Sequence, residues 1–123
     1  MSQTAASDPQ FTDGLSDVEY RTRTDAVLAA VEALVDRWLQ EDVVDIDSNR
    51  TGGLLELSFP NQTKIVINTQ PPLHELWLAA RSGGFHYRFS DGRWIDTRDG
   101  GEFHDALSRC ASEQAGQPLR FTA

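Results

Sequence analysis

Between Val44 and Ile95 the apolar residues recur at every second position in short runs, and turn residues cut those runs at close intervals. On either side of this stretch the apolar spacing lengthens to 3, 4 and 7. Alternation marks a strand with one covered face, and the longer spacing marks a helix with one covered face, so the chain reads helix, strands, helix. Consecutive strands joined by tight turns run antiparallel, and two terminal helices can cover one face of such a meander. The expected fold is α+β: a two-layer sandwich in which an antiparallel meander sheet of five to six strands is covered on one face by N- and C-terminal helices. Its other face is open to water.

Local signals set the boundaries. In the first helix Tyr20, Val27, Leu28, Val31, Leu34, Val35 and Trp38 share a face. Ser16 is its N-cap, Glu19 three residues on completes a capping box, and the helix ends near Gln40. Val44 and Ile46, alternating with Asp45 and Asp47, predict a first strand with its carboxylates outward. Gly52-Gly53 makes a turn before Leu55, Leu57 and Phe59, and Pro60-Asn61-Gln62 makes the next before Ile65-Val66-Ile67. Leu73–Ala80, bounded by Pro71-Pro72 and Ser82-Gly83-Gly84, is a strand-length run. Phe85–Phe89 and Trp94-Ile95 flank Asp91-Gly92, the strongest hairpin signal in the chain. A second helix follows Gly100-Gly101, with Phe103, Leu107, Cys110, Ala111 and Gln114 on one face, and Gly116 and Pro118 close it. Residues 1–15, small, polar and acidic, are expected to form a flexible tail before a domain spanning 16–123.

Composition removes several classes of function. One cysteine among 123 residues excludes a disulfide framework and any thiolate cage, and points to a reducing compartment. The start lacks a basic segment followed by an apolar one, and no run approaches a membrane span, so a cytoplasmic address in a bacterium is expected. The net charge of −8 lies wholly in residues 1–47, which hold eleven acids and three bases; the remainder balances at eight and eight. An anionic third repels phosphate backbones and anionic lipid, so neither nucleic acid nor membrane is an expected partner. Phosphate loops, nucleophile elbows, paired-histidine helix motifs and Cys-x-x-Cys are all missing, and no catalytic residue is predicted. His74, His86 and His104 are scattered, and Cys110 falls on the apolar face of the last helix, where it reads as a small buried hydrophobe.

Two constellations remain. Asp25, Glu32 and Asp36 are spaced 7 and 4 apart and form one stripe on the first helix; Glu41 and Asp42 follow in the connection, then Asp45 and Asp47. Together they make an anionic ridge. Carboxylates are hard donors that hold hard cations, yet nothing in this spacing forms a rigid cage, so binding should be weak, plural and salt-sensitive. A solvated helix face that merely keeps the chain soluble is the alternative. The second constellation is Asn68-Thr69-Gln70-Pro71-Pro72 followed by Leu76-Trp77-Leu78-Ala79. If Leu76 and Leu78 face the helices, alternation sends Trp77 to the open face, where it resembles an interface anchor; a tryptophan packed by its strand neighbours is the alternative.

These residues carry a family resemblance. From about Asp17 to Phe121 the chain resembles bacterial frataxins of the CyaY type. The matching segments are Gly52-Gly53-Leu54-Leu55, Phe59-Pro60-Asn61, Lys64-Ile65-Val66-Ile67-Asn68, Gln70 and Pro72 before Trp77-Leu78-Ala79, Gly83-Gly84-Phe85-His86-Tyr87, Trp94-Ile95 and Glu113-Gln114-Ala115-Gly116. The resemblance implies a non-enzymatic role in iron–sulfur cluster assembly: an iron-binding regulator of the cysteine desulfurase and its scaffold protein, and a donor of iron to them. It maps weakly bound iron, Fe2+ or Fe3+, to Asp17, Asp25, Glu32, Asp36, Glu41, Asp42, Asp45 and Asp47, and a sheet-face interface to Asn68, Gln70 and Trp77. A monomer is expected. The competing reading is an oligomeric protein that oxidises or stores iron. In this chain Asn61-Gln62 replaces the family's more usual Asn-Gly, a local change of small cost.

Overall fold

Ser16 starts the first helix as its side chain dictates. In the computed structural model, which describes residues 13–123, its hydroxyl accepts from the Glu19 backbone N–H while the Glu19 carboxylate accepts from the Ser16 N–H. Two donors that the first helical turn would leave unpaired are thereby satisfied. Helix α1 then runs over Asp17–Gln40, and Tyr20, Thr24, Leu28, Val31 and Val35 form its buried stripe. The polar member, Thr24, donates its hydroxyl back to the carbonyl of Tyr20.

Six strands follow: β1 (Asp47–Thr51), β2 (Leu54–Ser58), β3 (Lys64–Gln70), β4 (Glu75–Ala80), β5 (Gly83–Ser90) and β6 (Arg93–Asp96). Each pairs antiparallel with the next, so spatial order equals chain order and the sheet is an open meander. Helix α2 (Phe103–Ala115) ends at Gly116, whose φ of 73° is the left-handed conformation that glycine adopts without strain. Both helices pack on one sheet face, where Leu55, Leu57, Ile65, Ile67, Leu76, Leu78, Tyr87 and Trp94 meet Leu28, Val31, Val35, Phe103 and Leu107 in one core. The expected two-layer α+β sandwich is therefore the observed one.

Three boundaries differ from expectation. The first strand is not Val44–Asp47 but the polar run Asp47–Thr51; Val44 and Ile46 lie in the connection, with Ile46 fully buried. The run Leu73–Ala80 is a strand only from Glu75, because Pro71–Leu73 forms a single 3-10 turn and His74 adopts φ 52°. The turn between β4 and β5 falls at Arg81-Ser82, one to two residues earlier than the glycines suggest.

The predicted tail over residues 1–15 lies mostly outside the described residues. Of its last three residues, Asp13 accepts from the Leu15 N–H and contacts His74 at 3.0 Å, and Leu15 packs against the core. At the other terminus Leu119 and Phe121 are buried, and Phe121 meets Trp38 edge to face at 5.0 Å. The Ser108 and Ser112 hydroxyls each bond both the N–H and the carbonyl of these residues, fastening the C-terminal segment along α2. No helix among the described residues is long and apolar enough to cross a membrane.

Candidate functional site

The acidic ridge follows from how α1 meets the edge strand. The side chains of β1 alternate: Ser48 and Arg50 point to the helix side of the sheet, and Asp47, Asn49 and Thr51 to the open side. Ser48 and Arg50 face the acidic stripe of α1 rather than the core, which explains a strand without apolar residues. Arg50 donates to Asp25 at 2.7 Å, and Ser48 donates to Asp36 at 3.1 Å. Two of the predicted ridge acids are thus tied to the sheet edge.

The others divide by environment. Asp17 approaches His74 Nε2 at 2.8 Å, while His74 stacks on the Tyr20 ring at 4.6 Å between centroids. Glu32 is half-buried. Glu41, Asp42, Asp45 and Asp47 are exposed at the corner between α1 and β1, and among the described residues none has a hydrogen-bond or ion-pair partner for its carboxylate. Asp42 and Asp45 line a shallow depression together with Leu39, Val43 and Val44. Asp25 and Asp36 thus face the edge strand and Glu41, Asp42, Asp45 and Asp47 stand at the α1–β1 corner, whereas Asp17 lies apart from them at the β3–β4 connection. Among the described residues, however, no three acids, histidines or cysteines converge on one point as a metal site requires. Carboxylates are donors that suit iron chemically, and among the described residues these are spread out rather than gathered into a cage.

Below this edge Tyr20 ties the helix to the sheet. Its hydroxyl donates to the Glu75 carbonyl and accepts from the Gln70 N–H at 3.0 Å. Burial, with the nearby charges of Glu75 and Asp13, pushes this hydroxyl up to about 12, although the Gln70 N–H favours the ionised form. Gln70 and Glu75 are directly paired across β3 and β4, so this contact fixes the start of the second constellation.

That constellation lies on the open sheet face. Asn68 pairs with Trp77 and Trp77 with His86, placing Leu54, Asn68, Trp77 and His86 in one row across four strands. Asn68, Gln70 and Trp77 are indeed together, each half-buried. Trp77 is not a free indole. It stacks on the His86 ring at 4.1 Å with 3° between planes, and its Nε1 donates to Glu75 Oε1 at 2.8 Å. Glu75 also accepts from Arg88 Nε at 3.0 Å and is only 6% exposed. Beside the stacked pair runs a groove of about 170 Å³ lined by Val66, Ala79, Gly84 and Phe85.

Sequence reading missed Glu75, His86 and Arg88. Their signal is the turn: once Arg81-Ser82 is the loop, counting back pairs Ala80 with Gly83, Trp77 with His86 and Glu75 with Arg88. Cys110 is buried as expected, with Ser82 Oγ at 3.5 Å from its sulfur. His104 is buried against Glu102, which caps α2.

An open six-strand meander backed by two helices, with an acidic edge and an aromatic row on its bare face, defines the frataxin-like class of domain. The family pattern described as Frataxin-like domain matches residues 13–117. The chain is 54% identical over 109 residues to the iron-sulfur cluster assembly protein CyaY of Burkholderia mallei (strain SAVP1), covering 89% of this chain and all of that one. In structure it matches frataxin from Psychromonas ingrahamii with TM-score 0.76 and 36% identity, over 89% of this chain and 100% of that one. Trimeric frataxin from the yeast Saccharomyces cerevisiae, complexed with ferrous iron, shares the fold with TM-score 0.63 at 23% identity, over 88% of this chain and 93% of that one. This chain belongs to the frataxin family, on its bacterial CyaY branch.

Proposed function

We propose that this chain serves iron–sulfur cluster assembly as a non-catalytic, iron-responsive regulator that docks on the cysteine desulfurase and its scaffold protein. The observation that carries the reading is the continuity of two unlike surfaces. The acidic edge reaches the open sheet face at Asp47, and Asp47 lies on the same face as Trp77, three strands across and four residues along the register, about 20 Å away. One partner complex can therefore meet both. The unpaired acids at the α1–β1 corner supply a long-range field that attracts a basic surface and speeds encounter; Trp77, Asn68 and Gln70 supply the short-range contact.

Iron enters as cargo and counter-ion. Held by one or two carboxylates and water, it neutralises part of the edge and so changes the attraction for a basic partner. A frataxin of the same fold is complexed with ferrous iron, which makes that ion the one to test.

The test is sulfide release by the cognate desulfurase, with and without this protein, across ferrous iron concentrations and with calcium as control. A protein-dependent change that iron deepens more than calcium does supports the proposal. Charge reversal at Asp42, Asp45 and Asp47 should abolish both the effect and desulfurase binding. Unchanged binding by that variant would refute the electrostatic docking. Iron oxidation faster than buffer, with growth in particle size, would favour the storage reading instead.

A further inference from the structure

The open face carries one feature that docking alone does not explain: a buried carboxylate on the side of the sheet that faces water. Glu75 opens β4 two residues before Trp77, so both side chains rise from the same face, and the register sets Arg88 directly opposite Glu75 and His86 opposite Trp77. The Glu75 carboxylate takes the indole Nε1–H at 2.8 Å on one oxygen and the Arg88 Nε–H at 3.0 Å on the other, with His86 Nδ1 at 3.7 Å from the first. Such bonds to an ionised acceptor are short and directional. A tryptophan side chain has two free torsions; stacking on His86 restrains the ring plane, and the bond at Nε1 fixes which edge points where.

We infer that Glu75 is a positioning residue that holds the Trp77 indole in its docking orientation, with Arg88 holding Glu75 in turn. The inference rests on the reading of Trp77 as the contact with the scaffold protein. An indole already ordered in the free protein does not lose rotamer freedom on binding, whereas an unpinned one does. The arrangement also leaves Arg88 neutralised within the face, so the surface around Trp77 presents an aromatic plate and amides rather than a charge.

The test uses the full chain, three variants and two readouts: the indole N–H resonance of Trp77, assigned by its loss in Trp77→Ala, and affinity for the cognate scaffold protein. Glu75→Ala should shift and broaden that resonance and weaken the affinity about three- to tenfold, the immobilisation cost of one such side chain. Glu75→Gln, which keeps an acceptor for Nε1, should restore the resonance and bring the affinity within about twofold of the parent. A Glu75→Ala protein with an unmoved resonance overturns the inference. So does a moved resonance with unchanged affinity when Trp77→Ala binds poorly. If Trp77→Ala itself binds as well as the parent, the docking reading fails, and the resonance alone then decides whether Glu75 holds the ring.

Discussion

Replacing Tyr20 by phenylalanine removes a single oxygen, with one consequence at neutral pH and a separate one in alkali. Its hydroxyl bonds the Glu75 carbonyl and the Gln70 N–H at the seam between α1, β3 and β4, and the ring is 1% exposed. Phenylalanine fills the same space but leaves a buried acceptor and a half-buried donor unpaired, which costs about 1–3 kcal/mol at neutral pH. The second consequence comes from titration, because burial disfavours the ionised hydroxyl in the folded protein. The folded protein holds this hydroxyl at about 12 against an ordinary value of 10.0. A group whose value is raised by folding contributes stability that is fully present below the unfolded value and is lost as pH rises through the folded one. Two units correspond to about 3 kcal/mol, lost between about pH 10 and 12. The parent should therefore be more stable than Tyr20→Phe at pH 7 and lose that lead in alkali, where the variant has no hydroxyl to ionise at this position. Tyr87, also pushed up by burial, titrates alike in both proteins and cancels from the comparison. Urea unfolding at intervals from about pH 7 to 12 measures the difference. Two curves that run parallel above about pH 9, or a gap below about 0.5 kcal/mol at pH 7, would refute the account.

Glu102 predicts the opposite limb of the pH profile. Burial raises its carboxyl, but the His104 N–H and ring and the Asp105 N–H outweigh that and hold it below the ordinary carboxylate value. Its stabilisation is present above that ordinary value and disappears as pH falls through the lowered one, so the gap between parent and Glu102→Gln in urea midpoint should close in acid. Gln114, 2% exposed, donates to Thr63 Oγ1 and the Lys64 carbonyl and accepts from the Arg81 N–H. Gln114→Leu should lose about 2–4 kcal/mol by urea unfolding with m unchanged, since three partners are stranded at once. Gln62 is held at φ 69° in the β2–β3 turn, so Gln62→Gly should raise the melting temperature, by up to about 1 kcal/mol of added stability. Because Glu41, Asp42, Asp45 and Asp47 crowd the α1–β1 corner, added salt or millimolar calcium should also raise the melting temperature; indifference to both would mean that the carboxylates do not repel one another.

What the sequence determined by itself was everything that depends on near neighbours. The capping box at Ser16 and Glu19, the alternation through Leu55 and Leu57, the Asp91-Gly92 turn and the left-handed Gly116 are all set by contacts within a few residues, and the structure contains each. The same locality placed Trp77 on the face opposite Leu76 and Leu78, whereas Asn68 and Gln70 meet it there through the pairing of β3 with β4. Only the tertiary structure decided contacts between distant segments. The strand Asp47–Thr51 has no apolar period because its inward side meets the acids of α1, so no pattern within it could announce a strand. Asp25 is 25 residues from Arg50, and nothing local indicates that one ridge acid is neutralised in this way. The Glu75–Trp77–His86–Arg88 cluster depends on a register that the same two-residue turn placed one residue later would have shifted by two, setting Trp77 opposite Arg88 instead of His86. Periodicity names the face on which a residue stands; only pairing across strands and packing between layers decide which residue it meets there.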